Sequence, residues 1–198
     1  MAFYEETESE GKYIKIIDGS LCEKSKTEKE GFVPYTTTNP STGDSVTYYI
    51  RRYKGISGKV SRLERVELDG VKIYGYNLHM EDEEGTFSIF FKDDARTTDR
   101  LLKVFENINL DNDVLISVWK DDEGHPAITF KQGDVNVPQK WGKENLPEPK
   151  KVKGKWDYSD VDEFLYNNIM DNVIPKFAGN ATTSKAAKVE EESEAIPF

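Results

Sequence analysis

This sequence predicts a mainly β fold. The expected architecture is a five-stranded Greek-key barrel with extra strands before it, a helix inserted after its third strand and a second helix after the barrel. Three observations carry the expectation. β-Branched and aromatic residues gather into short runs between residues 46 and 132, separated by turn-forming residues. Asp69-Gly70 lies between two of those runs as a hairpin signal. After the third barrel run the apolar spacing turns helical, placing Leu101, Leu102, Phe105 and Ile108 on one face.

The elements follow in order. Residues 12–17 (Lys-Tyr-Ile-Lys-Ile-Ile) read as a first strand closed by Asp18-Gly19, and residues 24–30 are charged and helix-compatible. Residues 36–44 carry Asn39-Pro40 and Thr42-Gly43 and read as a turn-rich loop. Residues 46–53 form a strand by composition, residues 58–68 a longer one, and residues 71–80 its hairpin partner. In that partner Val71, Ile73 and Gly75 share one face, and Lys72, Tyr74 and Tyr76 the other. Residues 86–92 give the next strand, with Phe87, Ile89 and Phe91 expected in the core. The helix after it takes Thr97 or Thr98 as N-cap. Residues 113–120 and 127–132 return to strand across an acidic turn at 121–124. From Gly58 the order is strand, strand, strand, helix, strand, strand, which is that of the OB-fold. Residues 1–156 are read as this elaborated barrel domain, ending in an extended basic arm at 139–155. Residues 157–177 follow as a C-terminal helix capped by Asp157 or Ser159, with Val161, Phe164, Leu165, Ile169 and Val173 as its apolar stripe and Pro175 as its stop. Residues 178–189 form a polar tether, and residues 190–198 an acidic tail.

Charge is strongly segregated. Residues 47–65 hold six bases and one acid, and residues 140–155 six bases and two acids, within a chain whose net charge is −10. The two basic segments carry both the lysines and arginines that neutralise phosphate and the rings on which bases stack. Cys22 is the sole cysteine and only two histidines are present, which argues against a disulfide or a Cys/His zinc site. Neither a phosphate-binding loop nor a nucleophile elbow occurs, so an enzyme or a cofactor is not expected. No run reaches membrane-span length and residues 1–20 lack a signal-peptide pattern, so no membrane partner and a cytoplasmic location are expected.

Candidate nucleic-acid contacts follow from these patterns. On the strand at 46–53, Ile50 is taken to mark the inner side, leaving Tyr49, Arg51 and Tyr53 outward with Arg52 at the strand's edge. Lys59, Arg62, Arg65, Lys72, Tyr74, Tyr76 and Lys92 would line the first three barrel strands. Trp119-Lys120 and Lys131 flank the last two, while Lys140 and Trp141 open the basic arm, which continues through Lys150 to Lys155. A second reading stands for each: the tyrosines pack a sheet, the arginines pair with carboxylates, and the arm is a solvated linker.

The chain ends Glu190-Glu191-Glu192-Ser193-Glu194-Ala195-Ile196-Pro197-Phe198. With this terminus it resembles bacterial and bacteriophage single-stranded-DNA-binding proteins, many of which end in an acidic tail with an Ile-Pro-Phe tip. The resemblance implies sequence-nonspecific binding of single-stranded DNA in replication, recombination and repair. It also implies a tail whose Glu190, Glu191, Glu192, Glu194, Ile196, Pro197 and Phe198 dock on replication or repair proteins and compete with DNA. A monomer or weak dimer is expected, because the glycine/glutamine-rich linker of the tetrameric members is missing. Two other classes stay open. One is a metal-dependent nuclease using Asp93-Asp94 or Asp121-Asp122, and the other an adaptor that binds protein only.

Overall fold

The computed structural model describes residues 11–38, 42–68, 73–93 and 95–178. Among these residues ten strands form one mixed sheet, two more make a separate hairpin, and three helices are present. Four strands come first: β1 (Lys12–Ile17), β2 (Ser20–Ser25), β3 (Val33–Thr38) and β4 (Ser45–Tyr53). Asp18 and Gly19 join β1 to β2 with both residues left-handed, at φ 50° and 71°. An Asp-Gly pair suits that tight turn, whose twist matches an antiparallel pair.

A segment too short to assign from sequence is settled here, and one expectation fails. Residues 24–30 are not helical: Lys24 and Ser25 end β2, and bends and turns follow to Phe32. The backbone groups of Lys24 and Ser25 pair with β4 instead, a tertiary partner that outweighs weak local propensity. Likewise residues 36–38 are not loop but the end of β3, which pairs with β4 along its whole length. Pro34 fits there because β3 is the sheet's outermost strand, with one edge that needs no donor.

The segment expected as the barrel comprises β5 (Ile56–Leu68), β6 (Ile73–Asp82), β7 (Gly85–Lys92), helix α1 (Arg96–Val104), β8 (Val114–Lys120) and β9 (Pro126–Gln132), with the two-residue strand β10 (Val135–Asn136) beyond it. β5 serves two partners: Ile56 to Gly58 pair with β8, and Lys59 onward with β6. The Asp69-Gly70 turn lies outside the described residues, although β5 and β6 pair up to Leu68 opposite Ile73. Across the sheet the order is β10-β9-β8-β5-β6-β7-β1-β2-β4-β3. A five-stranded barrel would close by bringing β9 onto β7. Here β7 carries β1 in parallel instead, and the sheet rolls until β2 comes against β8.

The core fills the inside of that roll. Leu63, Leu78 and Ile89 lie side by side on β5, β6 and β7, and Ile14 continues the row on β1; all are buried. Phe87 and Phe91 join them as expected. Helix α1 packs Leu101 and Leu102 into the same core, with Phe105 and Ile108 just beyond its last turn. Its N-cap is Ala95, not Thr97 or Thr98, both of which are buried; the Thr98 hydroxyl donates to the Lys92 carbonyl at 2.5 Å.

The basic arm is more ordered than its composition suggests. Residues 150–157 form a hairpin of β11 (Lys150–Val152) and β12 (Lys155–Asp157). Helix α2 (Ser159–Asn172) then buries Val161, Leu165 and Ile169. Asp157 accepts the Ser159 amide, while Tyr158 holds the N-cap position. After a break at Val173, Pro175 sits in the first turn of the short α3 (Ile174–Ala178), so it starts a new turn where the sequence suggested only a stop.

Candidate nucleic-acid interface

β4 lies between β2 and β3, and its register decides which residues share a face. Tyr53 is opposite Leu21, Arg51 opposite Glu23 and Tyr49 opposite Ser25. Because directly paired residues point the same way, Tyr49, Arg51 and Tyr53 stand on the side of Leu21 and Ile14, the core side. Tyr53 packs against the core and donates its hydroxyl to Glu23 at 2.7 Å. Burial, then that hydrogen bond, pushes its pKa up to about 12. Arg51 lies over the Tyr53 ring at 5.6 Å. The expected outward trio is therefore inward. Ile50 is indeed buried, but on the outer side, where its cross-strand neighbours are Lys24 and Val33.

The outer side carries the basic and aromatic groups. Tyr35 of β3 and Tyr48 of β4 face each other across the strands with ring centres 6.0 Å apart and planes at 29°. Lys24 of β2 places its ammonium 3.5 Å from the Tyr48 ring centre. Arg52 lies over Tyr35 at 5.9 Å, and the Tyr35 hydroxyl donates to Asp18 at 2.9 Å. That bond is the main reason the Tyr35 pKa is raised. Further along the same face come Lys15 and Tyr13 of β1, 5.5 Å from ammonium to ring centre. Burial, then the charges of Lys15 and Lys26, lowers the Lys24 pKa. Three ammonium groups thus repel one another here, and an arriving phosphate would relieve that repulsion. Cys22 sits beneath them between Lys15 and Arg52, fully buried, its thiol pKa raised by that burial. It packs; it is not a nucleophile.

The outer face continues onto β5, β6 and β7 as a polar ladder. Ser88 of β7 shares a hydrogen bond of 2.8 Å with His79 Nδ1, and His79 Nε2 meets Glu64 at 2.9 Å. Arg62 lies 2.8 Å from Glu64. These residues are cross-strand neighbours on an exposed sheet face, and Arg62 is committed to a carboxylate there.

The other sequence candidates separate. Tyr76 is buried at 2% exposure, its pKa pushed up to about 12 by that burial, so it is core and not part of a wet platform. Tyr74 shares its face but is 38% exposed, with its hydroxyl held by Glu67. Between them lies Arg65, expected with Lys59 and Arg62 to line the first barrel strand. Its guanidinium makes a two-pronged ion pair with Asp93 and lies 4.8 Å from the Tyr76 ring centre and 5.5 Å from that of Tyr166 on α2. Asp93 is thereby occupied and poorly placed to hold a metal; Asp94 and Lys72 lie outside the described residues. Lys59 borders a hollow lined by Glu81, Asp82, Glu83 and Asp113, an environment that repels phosphate. Lys92 is exposed on the outer face, opposite Gly75.

Trp119 is 43% exposed on the outward side of β8, and Lys131 on β9 points the same way beside Leu115. Lys120 lies across the Gly19 turn. Trp141 is a tie-rod and not a base platform. Its indole N–H donates to Glu106 at 3.0 Å and its ring meets Phe164 edge-on at 5.0 Å. Glu106 also accepts from Asn168 of α2, so one carboxylate joins the arm to both helices. The Lys140 backbone amide donates to the Lys103 carbonyl at 2.7 Å, fixing the arm's start. Asp121, Glu123 and His125 bring ligand atoms within 4.8 Å of one another, but Asp121 already accepts the backbone amides of the other two. No helix among the described residues is long and apolar enough to cross a membrane. The tail at 190–198 lies outside the described residues.

Tyr13, Lys15, Lys24, Tyr35 and Tyr48 are the outer-face residues the sequence reading missed. The signal was present in the Asp18-Gly19 turn, which pairs β1 with β2, and in the Val33-Tyr35-Thr37 alternation of β3. No family model, curated protein or solved structure matches this chain.

Proposed function

We propose that this chain binds single-stranded DNA without sequence preference, using the outer face of β1–β4 as a stacking and phosphate surface. The observation that carries the reading is the Tyr35–Tyr48 stack with Lys24 at 3.5 Å and Arg52 beside it, in a chain whose net charge is −10. Rings on a sheet accept any base, and cations beside them neutralise the passing backbone. Concentrating positive charge on one face of an acidic protein directs a polyanion to that face and away from the rest. The fold, in this reading, is an opened OB barrel in which β1 pairs with β7 where closure would place β9. The protein acts as a non-enzymatic monomer or weak dimer, and residues 190–198 recruit replication or repair proteins.

Fluorescence anisotropy with labelled oligonucleotides, with and without Mg²⁺, tests the reading. Binding should be insensitive to base sequence, weaker for duplex, and should weaken steeply with salt as counterions are released. Cleavage in Mg²⁺ would point to a nuclease. Absence of binding at low salt would leave an adaptor that works through its tail.

A further inference from the structure

We propose that the β11–β12 hairpin is a second, separate contact for single-stranded nucleic acid, with Trp156 stacking on a base and the lysines around it holding phosphates. This inference rests on the reading above and adds to it a site on a different element.

The hairpin is built, not incidental. Lys153 and Gly154 both adopt left-handed backbone, at φ 49° and 83°, and turn the chain so that Lys151 pairs with Trp156 and Val152 with Lys155. Lys150 ties its base to Asp160 in the first turn of α2 at 2.5 Å, and Asp157 accepts the Ser159 amide from the same turn. Behind it the arm is fixed to α1 and α2 through Trp141 and Glu106. The element is thus held at its base and projects at its tip.

Its surface chemistry is unusual for such a small projection. Two strands of three residues have no core of their own, and an isolated hairpin of this size is marginal in water. Yet Trp156 is 60% exposed, and Val152 and Tyr158 about half exposed. Lys151 lies on the face of Trp156, 5.9 Å from the ring centre, with Lys153 at the turn and Lys155 following. Residues 150–158 hold four lysines against the single acid Asp157. Charge complementarity selects the occupant: a flexible polyanion that also offers flat rings satisfies both the ammonium groups and the indole. An anionic membrane surface offers the charge but no flat ring, and one tryptophan on an eight-residue hairpin gives little area to insert.

The test uses the full chain and thymidine oligomers of graded length. Trp156→Ala should weaken binding of long oligomers by about 5- to 30-fold while leaving the shortest bound oligomers unchanged, because these reach only the sheet face. Trp156→Tyr, which keeps a stacking ring, should restore most of that loss. Replacing Lys151, Lys153 and Lys155 together by alanine should reduce the slope of log K against log salt by about 2 on long oligomers, about 0.7 for each phosphate released. Unfolding midpoints matching the wild type would confirm that the fold is intact. If the wild type binds and Trp156→Ala binds identically at every length, the hairpin is not a contact and only this inference falls. If the wild type binds no single strand, both readings fall. Trp156-dependent binding to phosphatidylserine vesicles, with oligomer binding unaffected by the variants, would overturn the inference in favour of a lipid surface.

Discussion

Tyr48 and Tyr49 are neighbours in sequence on opposite faces of β4, so alanine at each position asks which face the nucleic acid uses. A base stacked on an aromatic side chain is worth about 1–3 kcal/mol by alanine substitution. Lys24 already stands 3.5 Å from the Tyr48 ring centre and covers part of it, so the lower part of that range applies. A loss of about 1–2 kcal/mol corresponds to a Kd about 5- to 30-fold weaker. Tyr49→Ala should change Kd by less than about twofold, since Tyr49 pairs with Ser25 and Pro34 on the core side. Anisotropy titrations at fixed ionic strength give the Kd values, and urea midpoints of each variant separate lost contacts from lost folded protein. Arg52→Ala against Arg51→Ala repeats the comparison for charge. The salt slope should become shallower by about 0.7 for Arg52 and stay unchanged for Arg51. The opposite pattern, with Tyr49 and Arg51 sensitive and Tyr48 and Arg52 silent, would place the contact on the core side and refute the face assignment. Equal losses at all four positions would refute any face-specific site on β4.

Three further outcomes follow from the same geometry. Arg65→Ala should destabilise the fold by about 2 kcal/mol in urea, because it leaves Asp93 without its partner and empties the space between Tyr76 and Tyr166. Lys at that position should recover only part, as an ammonium cannot make the paired bonds. The His79 hydrogen bond holds the Glu64 carboxyl below its ordinary range, so Glu64 contributes stability above its unfolded pKa and loses it as pH falls through the folded value. Stability should therefore decline in acid below about pH 4, and Glu64→Gln should flatten that decline in urea midpoints measured across the range. Deleting residues 190–198 should tighten DNA binding at low salt, because four glutamates no longer compete with phosphate. An unchanged Kd would leave the tail a docking peptide only.

The parts of the fold legible in the sequence were those where a local pattern coincides with a local partner. β5 to β7, α1, β8 and β9 follow one another through short connections, and their alternating or helical apolar residues reach one core. The same holds for Val161, Leu165 and Ile169 on α2. Less legible were β2 and β3, whose polar sequences have no strong strand preference and become strands because β4 presents edges to both. Nor does composition reveal that β1 would join β7 in parallel, since that pairing joins residues more than seventy positions apart. The β11–β12 hairpin hid in a lysine-rich stretch because its signal is only a Lys-Gly turn.

The face expected of β4 is inverted. A strand has a side-chain period of two, so one mistaken anchor moves every residue on it to the wrong face. On β4 the anchor was Ile50, which is buried as expected. What buries it is the outer layer, with Lys24 and Val33 across the strands, and not the core inside the rolled sheet. Tyr53, with a polar hydroxyl, instead reaches the core side by satisfying that hydroxyl on Glu23. An aromatic residue with a partner for its polar end can therefore take the inner side, while an aliphatic one lies beneath long cationic side chains on the outer side. The same exchange explains Trp141 and Trp156. The tryptophan expected to contact DNA is bonded to Glu106, whereas the one fifteen residues later stands exposed beside Lys151. In each case the deciding quantity is the presence of a part-buried acceptor, which only the fold supplies. Basic-aromatic composition locates such a surface to within a segment, and hydrogen-bond partners decide which rings remain available to stack.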